Sequence, residues 1–167
     1  MQNRQRAKSH KQPTTYSAFD TAIYYLTFRD RSRKELCDKL TEKGYEEAEI
    51  AEAVEKLMSY GYIDDERYAS SYIRNQMRAK GRRRITMELS GKGVDSEMTR
   101  ELCMELVPDE AETIYDLLER RYGNLDFSDE GQMRRMYSFF ARRGFKYEDI
   151  RLSLIHISEP TRPISIS

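Results

Sequence analysis

Apolar residues recur three and four apart along most of the chain, and three times that spacing ends on glycine. The unit reads Leu36-x-x-x-Leu40-x-x-x-Gly44-Tyr45, then Ile85-x-x-x-Leu89-x-x-x-Gly93-Val94, then Met136-x-x-x-Phe140-x-x-x-Gly144-Phe145. Residues four apart share a helix face, so each unit predicts a helix with an apolar stripe. Glycine stands where a helix needs a left-handed residue to stop, and the residue after it packs back on the last turn. By position the packed pairs are Leu40–Tyr45, Leu89–Val94 and Phe140–Phe145, apolar in every copy. Cations precede each glycine (Lys43, Lys92, and Arg142 with Arg143) and suit the negative end of the helix dipole.

Each unit is flanked by further helical spacing. In repeat one a helix is predicted from Ser17 to about Arg29, with Phe19, Ala22, Ile23 and Leu26 on its apolar face. Ser32 and Glu35 form a capping box that opens the second helix. Ile50, Val54 and Leu57 mark a third, which stops at Gly61 with Leu57 and Tyr62 as its packed pair. Ile63-Asp64-Asp65-Glu66 starts repeat two with acids in the first turn. Its first helix runs to about Lys80 and breaks at Gly81; a second passes through Arg84 to Lys92, and a third spans about Asp95 to Leu106. Pro108 and an Asp109-x-x-Glu112 box open repeat three. There a helix carrying Ile114, Leu117 and Leu118 ends near Gly123, Asn124 to Ser128 turn, and a helix from about Asp129 leads to Arg143. No segment alternates with period two. The expected fold is therefore all-α: a tandem array of three three-helix repeats at 16–63, 64–107 and 108–151, behind a basic flexible tail at 1–15. Such arrays mostly present surfaces to other macromolecules.

The pattern changes at the end of the chain. Leu152 to Arg162 read LSLIHISEPTR, which resembles a translated sequencing-library adapter. Pro160 and Pro163 cannot continue a helix. The expectation is a last repeat truncated after Arg151, its closing helix missing or replaced, with 152–167 a non-native tail.

Composition narrows the class. Charged residues make up 35% and hydrophobic ones 38%, which suits slender helices with broad solvated faces. No apolar run approaches the ~20 residues of a membrane span, and the N-terminus lacks a signal-peptide stretch, so a cytoplasmic protein is expected. Cys37 and Cys103 lie inside helical patterns and read as buried thiols.

The net charge of zero conceals strong segregation. Arg4, Arg6, Lys8 and Lys11 make the tail purely basic. Between Tyr72 and Gly93 seven cations (Arg74, Arg78, Lys80, Arg82, Arg83, Arg84, Lys92) face Glu88 alone. From Val94 to Glu130 twelve acids face Arg100, Arg120 and Arg121. Adjacent blocks of opposite sign make an electric dipole that suits an orienting contact.

Enzyme signatures are absent. His10 lies in the tail, His156 in the adapter-like stretch, and no phosphate loop, nucleophile elbow or paired-cysteine site occurs. Asp64 and Asp65 are explained by capping and the dipole, so no metal and no cofactor are expected. The basic block Arg74 to Lys92 is the best functional candidate. Its cations repel one another, and an anionic partner would offset that repulsion. A solvated helix face is the competing reading. The three arginines at 82–84 begin a helix, where the dipole disfavours cations, and this favours function. Arg29, Arg31, Arg33 and Lys34 form a second cluster at the first helix joint. Tyr72 is the only aromatic inside the basic block, so aromatic interleaving is weak there and sequence reading of bases is not expected.

The run Arg31-Ser32-Arg33-x-Glu35-Leu36-x-x-Lys39-Leu40-x-x-Lys43-Gly44 resembles the opening of the RecX family of bacterial regulatory proteins. So do Gly61-Tyr62-Ile63-Asp64-Asp65-x-x-Tyr68-Ala69 and Gly81 followed by Ile85-x-x-Glu88-Leu89-x-x-Lys92-Gly93. The resemblance spans about Phe19 to Ile150. It implies a non-enzymatic modulator of the RecA recombinase that acts in homologous recombination, DNA repair and the SOS response. Such proteins sit in the groove of the RecA–single-stranded DNA filament and mostly inhibit ATP hydrolysis and strand exchange; a monomer is expected. The other readings are a small helical DNA-binding protein acting through phosphates, and a helical adaptor for another acidic partner.

Overall fold

The computed structural model describes residues 15–107, 109–124, 126 and 128–158. Their regular structure is entirely helical: α1 Ala18–Phe28, α2 Arg33–Lys43, α3 Glu47–Ser59, α4 Asp65–Gln76, α5 Arg82–Gly91, α6 Ser96–Leu106, α7 Ala111–Tyr122, α8 Glu130–Arg142 and α9 Tyr147–Ser158. Each successive set of three has its own buried cluster, built around Leu36, Leu40 and Leu57, then Ile73, Ile85 and Leu89, then Ile114, Met136 and Phe140. The chain divides into two compact units, one ending at Asp65 and one beginning at Glu66. Among the described residues no helix is long and apolar enough to cross a membrane.

The first unit shows how the repeat closes. The Ser17 side chain caps α1 by accepting the Asp20 N–H. Ser32 and Glu35 form the reciprocal box that opens α2, which buries Leu36 and Leu40 completely. Gly44 then takes φ +103, and the Tyr45 N–H returns to the Leu40 carbonyl at 3.3 Å. This six-to-one bond defines a Schellman ending and satisfies a carbonyl the helix would leave orphaned. Tyr45 is buried, and its hydroxyl donates to the Tyr16 carbonyl at 2.8 Å and meets Thr21 Oγ1 at 2.6 Å.

The ending recurs at Gly93 (φ +79) and Gly144 (φ +86), with Val94 N–H to Leu89 O at 3.1 Å and Phe145 N–H to Phe140 O at 3.2 Å. At Gly61 (φ +72) the bond from Tyr62 to Leu57 is present, at 2.9 Å. The expected packed pair is corrected there: Tyr62 is 55% exposed and Ile63 is buried in its place. An aliphatic side chain loses nothing polar on burial, whereas Tyr62 stays at the surface with its ring edge-on to Tyr60.

In the second unit two further expectations change. The Asp109–Glu112 box does not form; Asp109 accepts from the Ala111 N–H, and Glu110 stands at the N-cap with its side chain buried. Glu110 is turned to α5, whose start has no cap of its own, and accepts the Arg82 N–H. The truncated last repeat is also corrected, because α9 continues to Ser158 and packs on α7 and α8. Leu154 follows Ile150 by one turn and both are buried, while Ser153 Oγ donates to the Asp149 carbonyl at 2.9 Å. The adapter-like residues thus carry the buried apolar stripe one turn further, at Leu154. The tail cations, His10, Pro108, Pro160 and Pro163 lie outside the described residues.

Repeats two and three meet backbone to backbone. The Gly81 N–H donates to the Arg143 carbonyl at 2.9 Å. A methyl at Gly81 would lie 2.7 Å from the Gly144 oxygen, and one at Gly144 would run into the Arg84 backbone nitrogen. Three substitutions separate the causes in urea unfolding. Gly61→Ala has open space around it and should cost about 1–2 kcal/mol from positive φ alone. Gly81→Ala has an ordinary φ of −75° and should cost about 1–3 kcal/mol from crowding alone. Gly144→Ala combines both and should be the worst; equal losses at all three would refute the close approach.

Candidate functional site

The cluster in repeat one is mostly engaged with its own unit. Arg29 pairs with Glu35 at 3.5 Å, and Lys34 with Asp38 at 2.8 Å, which raises the lysine's pKa through that hydrogen bond and charge. Arg31 lies over the Tyr25 ring at 5.5 Å, with its Nε buried and without a hydrogen-bond partner. The Arg33 N–H at the start of α2 is taken by Asp65 Oδ1 at 2.8 Å, leaving the Arg33 side chain exposed. Asp65 therefore serves a helix terminus, and Asp64 precedes α4. Among the described residues no group of three or more His, Cys, Asp or Glu is placed to hold a metal ion. Burial pushes the thiols of Cys37 and Cys103 up.

The basic block is less self-repelling than its sequence implies. Glu88 accepts from Tyr72 OH at 2.7 Å, Lys80 Nζ at 2.7 Å and Arg84 Nε at 2.8 Å. Burial alone would raise the Glu88 pKa, but these hydrogen bonds outweigh it and hold the carboxyl at about 2. Burial, and then the bond to Glu88, push the Tyr72 hydroxyl up. Lys92 lies 6.0 and 5.7 Å from the Tyr68 and Tyr72 ring centres. Arg82 gives its Nε to Glu110 at 3.5 Å as well as its N–H. The buried carboxylate of Glu110 offsets the unfavourable dipole at the start of α5, so Arg82 is explained by folding. Arg74, Arg78 and Arg83 are exposed. Arg78 lines a mixed cleft with Asp109, Glu112 and Asp116.

What the fold adds is a second wall. Lys80, Arg83 and Arg84 of repeat two face Arg142, Arg143 and Lys146 of repeat three across a groove of about 960 Å³. Among the described residues six cations line it against one acid, Glu148. Arg83, Arg142 and Lys146 are exposed and have no ion pair among the described residues. Arg143 is fixed with its guanidinium 3.7 Å from the Phe139 ring centre. Tyr147 stands at the rim, 58% exposed, its ring stacked on Tyr137 at 4.9 Å and 29°. Arg74, Arg78, Arg82 and Lys92 do not line this groove. Sequence reasoning gave Arg142 and Arg143 only a dipole role and passed over Lys146 and Tyr147. The one available signal was that basic residues flank both Gly81 and Gly144, the two glycines whose backbones meet.

Comparison with known proteins follows the same threefold division. Family models for the first, second and third three-helix domains of RecX match residues 18–57, 64–101 and 108–152 in turn. Regulatory protein RecX of Vibrio vulnificus is 34% identical over 143 residues, covering 85% of this chain and 94% of that protein. Its namesake from Clostridium perfringens is 34% identical over 122 residues, covering 71% of this chain and 58% of that longer protein. The crystal structure of RecX from Lactobacillus salivarius superposes with a TM-score of 0.72 at 27% identity, over 84% of this chain and 94% of that one.

The Glu88 cluster predicts an acid-dependent stability. A carboxyl whose pKa falls on folding contributes stability above its unfolded value near 4.5, lost as pH falls toward about 2. Thermal unfolding should therefore show Glu88→Gln less stable than the parent at pH 6, with the gap closing between pH 4.5 and 2. A gap independent of pH would refute the assignment.

Proposed function

The chain belongs to the RecX family, and from that premise we propose that it regulates the RecA recombinase by engaging the RecA–single-stranded DNA filament and mostly lowering its ATP hydrolysis and strand exchange. The observation that carries this reading is the groove shared by repeats two and three, where six cations meet one acid. Folding uses Arg82, Lys80 and Arg84 through Glu110 and Glu88, but it leaves Arg83, Arg142 and Lys146 without a described acidic partner. Like charges held together are an energetic cost that an anionic filament surface would offset. The exposed Arg33 of repeat one is a second contact candidate. The protein acts as a cytoplasmic monomer, by occupying a surface rather than by chemistry of its own. Its working units are the three repeats expected at 16–63, 64–107 and 108–151, the last carried on by α9 to Ser158.

Reversal of Arg82, Arg83 and Arg84 together would break the Glu110 and Glu88 links as well as the outer face. The double variant Arg83→Glu/Arg142→Glu is the cleaner probe. In a RecA single-stranded-DNA-dependent ATPase assay it should need at least about tenfold more protein than the parent for equal inhibition. Undiminished inhibition, with unchanged helicity, would remove the groove from the mechanism.

A further inference from the structure

We propose that the groove between α5 and the α8–α9 turn is a binding site for one strand of nucleic acid, with phosphates on Arg83, Arg142 and Lys146 and a base stacked on Tyr147. This deepens the filament reading by naming what the basic surface holds. Charge alone would admit an acidic peptide equally well. The Tyr147 ring decides between them. One face rests on Tyr137 at 4.9 Å and 29°, and the residue is 58% exposed at the rim of the cationic groove. A ring braced on one side offers an oriented platform, and stacking on it requires an unpaired base, not a carboxylate. The N-terminus of α9 is not the anion site, because Glu148 and Asp149 already occupy its first turn. The cationic walls are held at fixed spacing by the Gly81 N–H bond to the Arg143 carbonyl. Stacking tolerates any base, so the site should show little sequence preference.

The test is fluorescence anisotropy of a labelled oligodeoxythymidylate with the full chain at low salt, without recombinase. Tyr147→Ala should weaken binding by about 5- to 150-fold, and Tyr147→Phe should restore it. The variant Arg83→Gln/Arg142→Gln/Lys146→Gln should bind weakly and lower the slope of log affinity against log salt by about two. Lys146→Gln alone, at an exposed position, should lower that slope by about 0.7. The proposal is overturned if Tyr147→Ala binds like the parent, if the triple variant keeps its affinity and slope, or if polyglutamate displaces the oligonucleotide as well as unlabelled strand does. Because no recombinase is present, failure here leaves the filament reading standing. Retained oligonucleotide binding with lost ATPase inhibition would sink the filament reading instead.

Discussion

A helix that stops on a left-handed glycine folds its chain back over its own last turn, and this structure depends on that reversal. It sets the direction in which the third helix of each repeat leaves the second, and it carries Tyr45, Val94 and Phe145 into the three cores. The constraint is backbone geometry before it is packing: all four positive-φ residues among those described are glycines. At Gly144 the same missing side chain does a second thing. It lets the Arg84 backbone approach, so the end of α8 and the start of α5 share one corner. The cationic groove exists because two polypeptide segments about sixty residues apart are allowed to touch there.

Electrostatics then sorts the arginines by neighbour rather than by number. Glu110 holds Arg82 from inside the fold, and Glu88 gathers Lys80 and Arg84 with Tyr72. Arg83 lies between two arginines with fixed duties and has none of its own among the described residues. A block that reads as uniform in sequence is thus two populations, one anchoring the repeat junction and one facing outward. The zero net charge hides both.

The parts legible in the sequence were those decided within a few residues. The glycine endings and the Ser32–Glu35 box each rest on bonds spanning five residues or fewer. What escaped depended on distance. Glu110 caps a helix 28 residues earlier, and no local rule connects it to Arg82. The groove's second wall came from residues already given a sufficient local reason, as with Arg142 and Arg143. Tyr62 and Ile63 exchanged places because tertiary surroundings decide which of two neighbours is buried, and here Ile63 joins the core while Tyr62 stays exposed. Leu152 to Ser158 joined α9 because Leu154 happens to fall one turn after Ile150, whatever the origin of that stretch.

The most direct test of the central claim compares binding of the intact chain to RecA-coated and to bare single-stranded DNA at physiological salt. A filament regulator should favour the coated strand clearly, since bare phosphate contacts weaken steeply as salt rises. Equal or weaker binding to the coated strand would contradict the account and leave a phosphate-binding helical protein in its place.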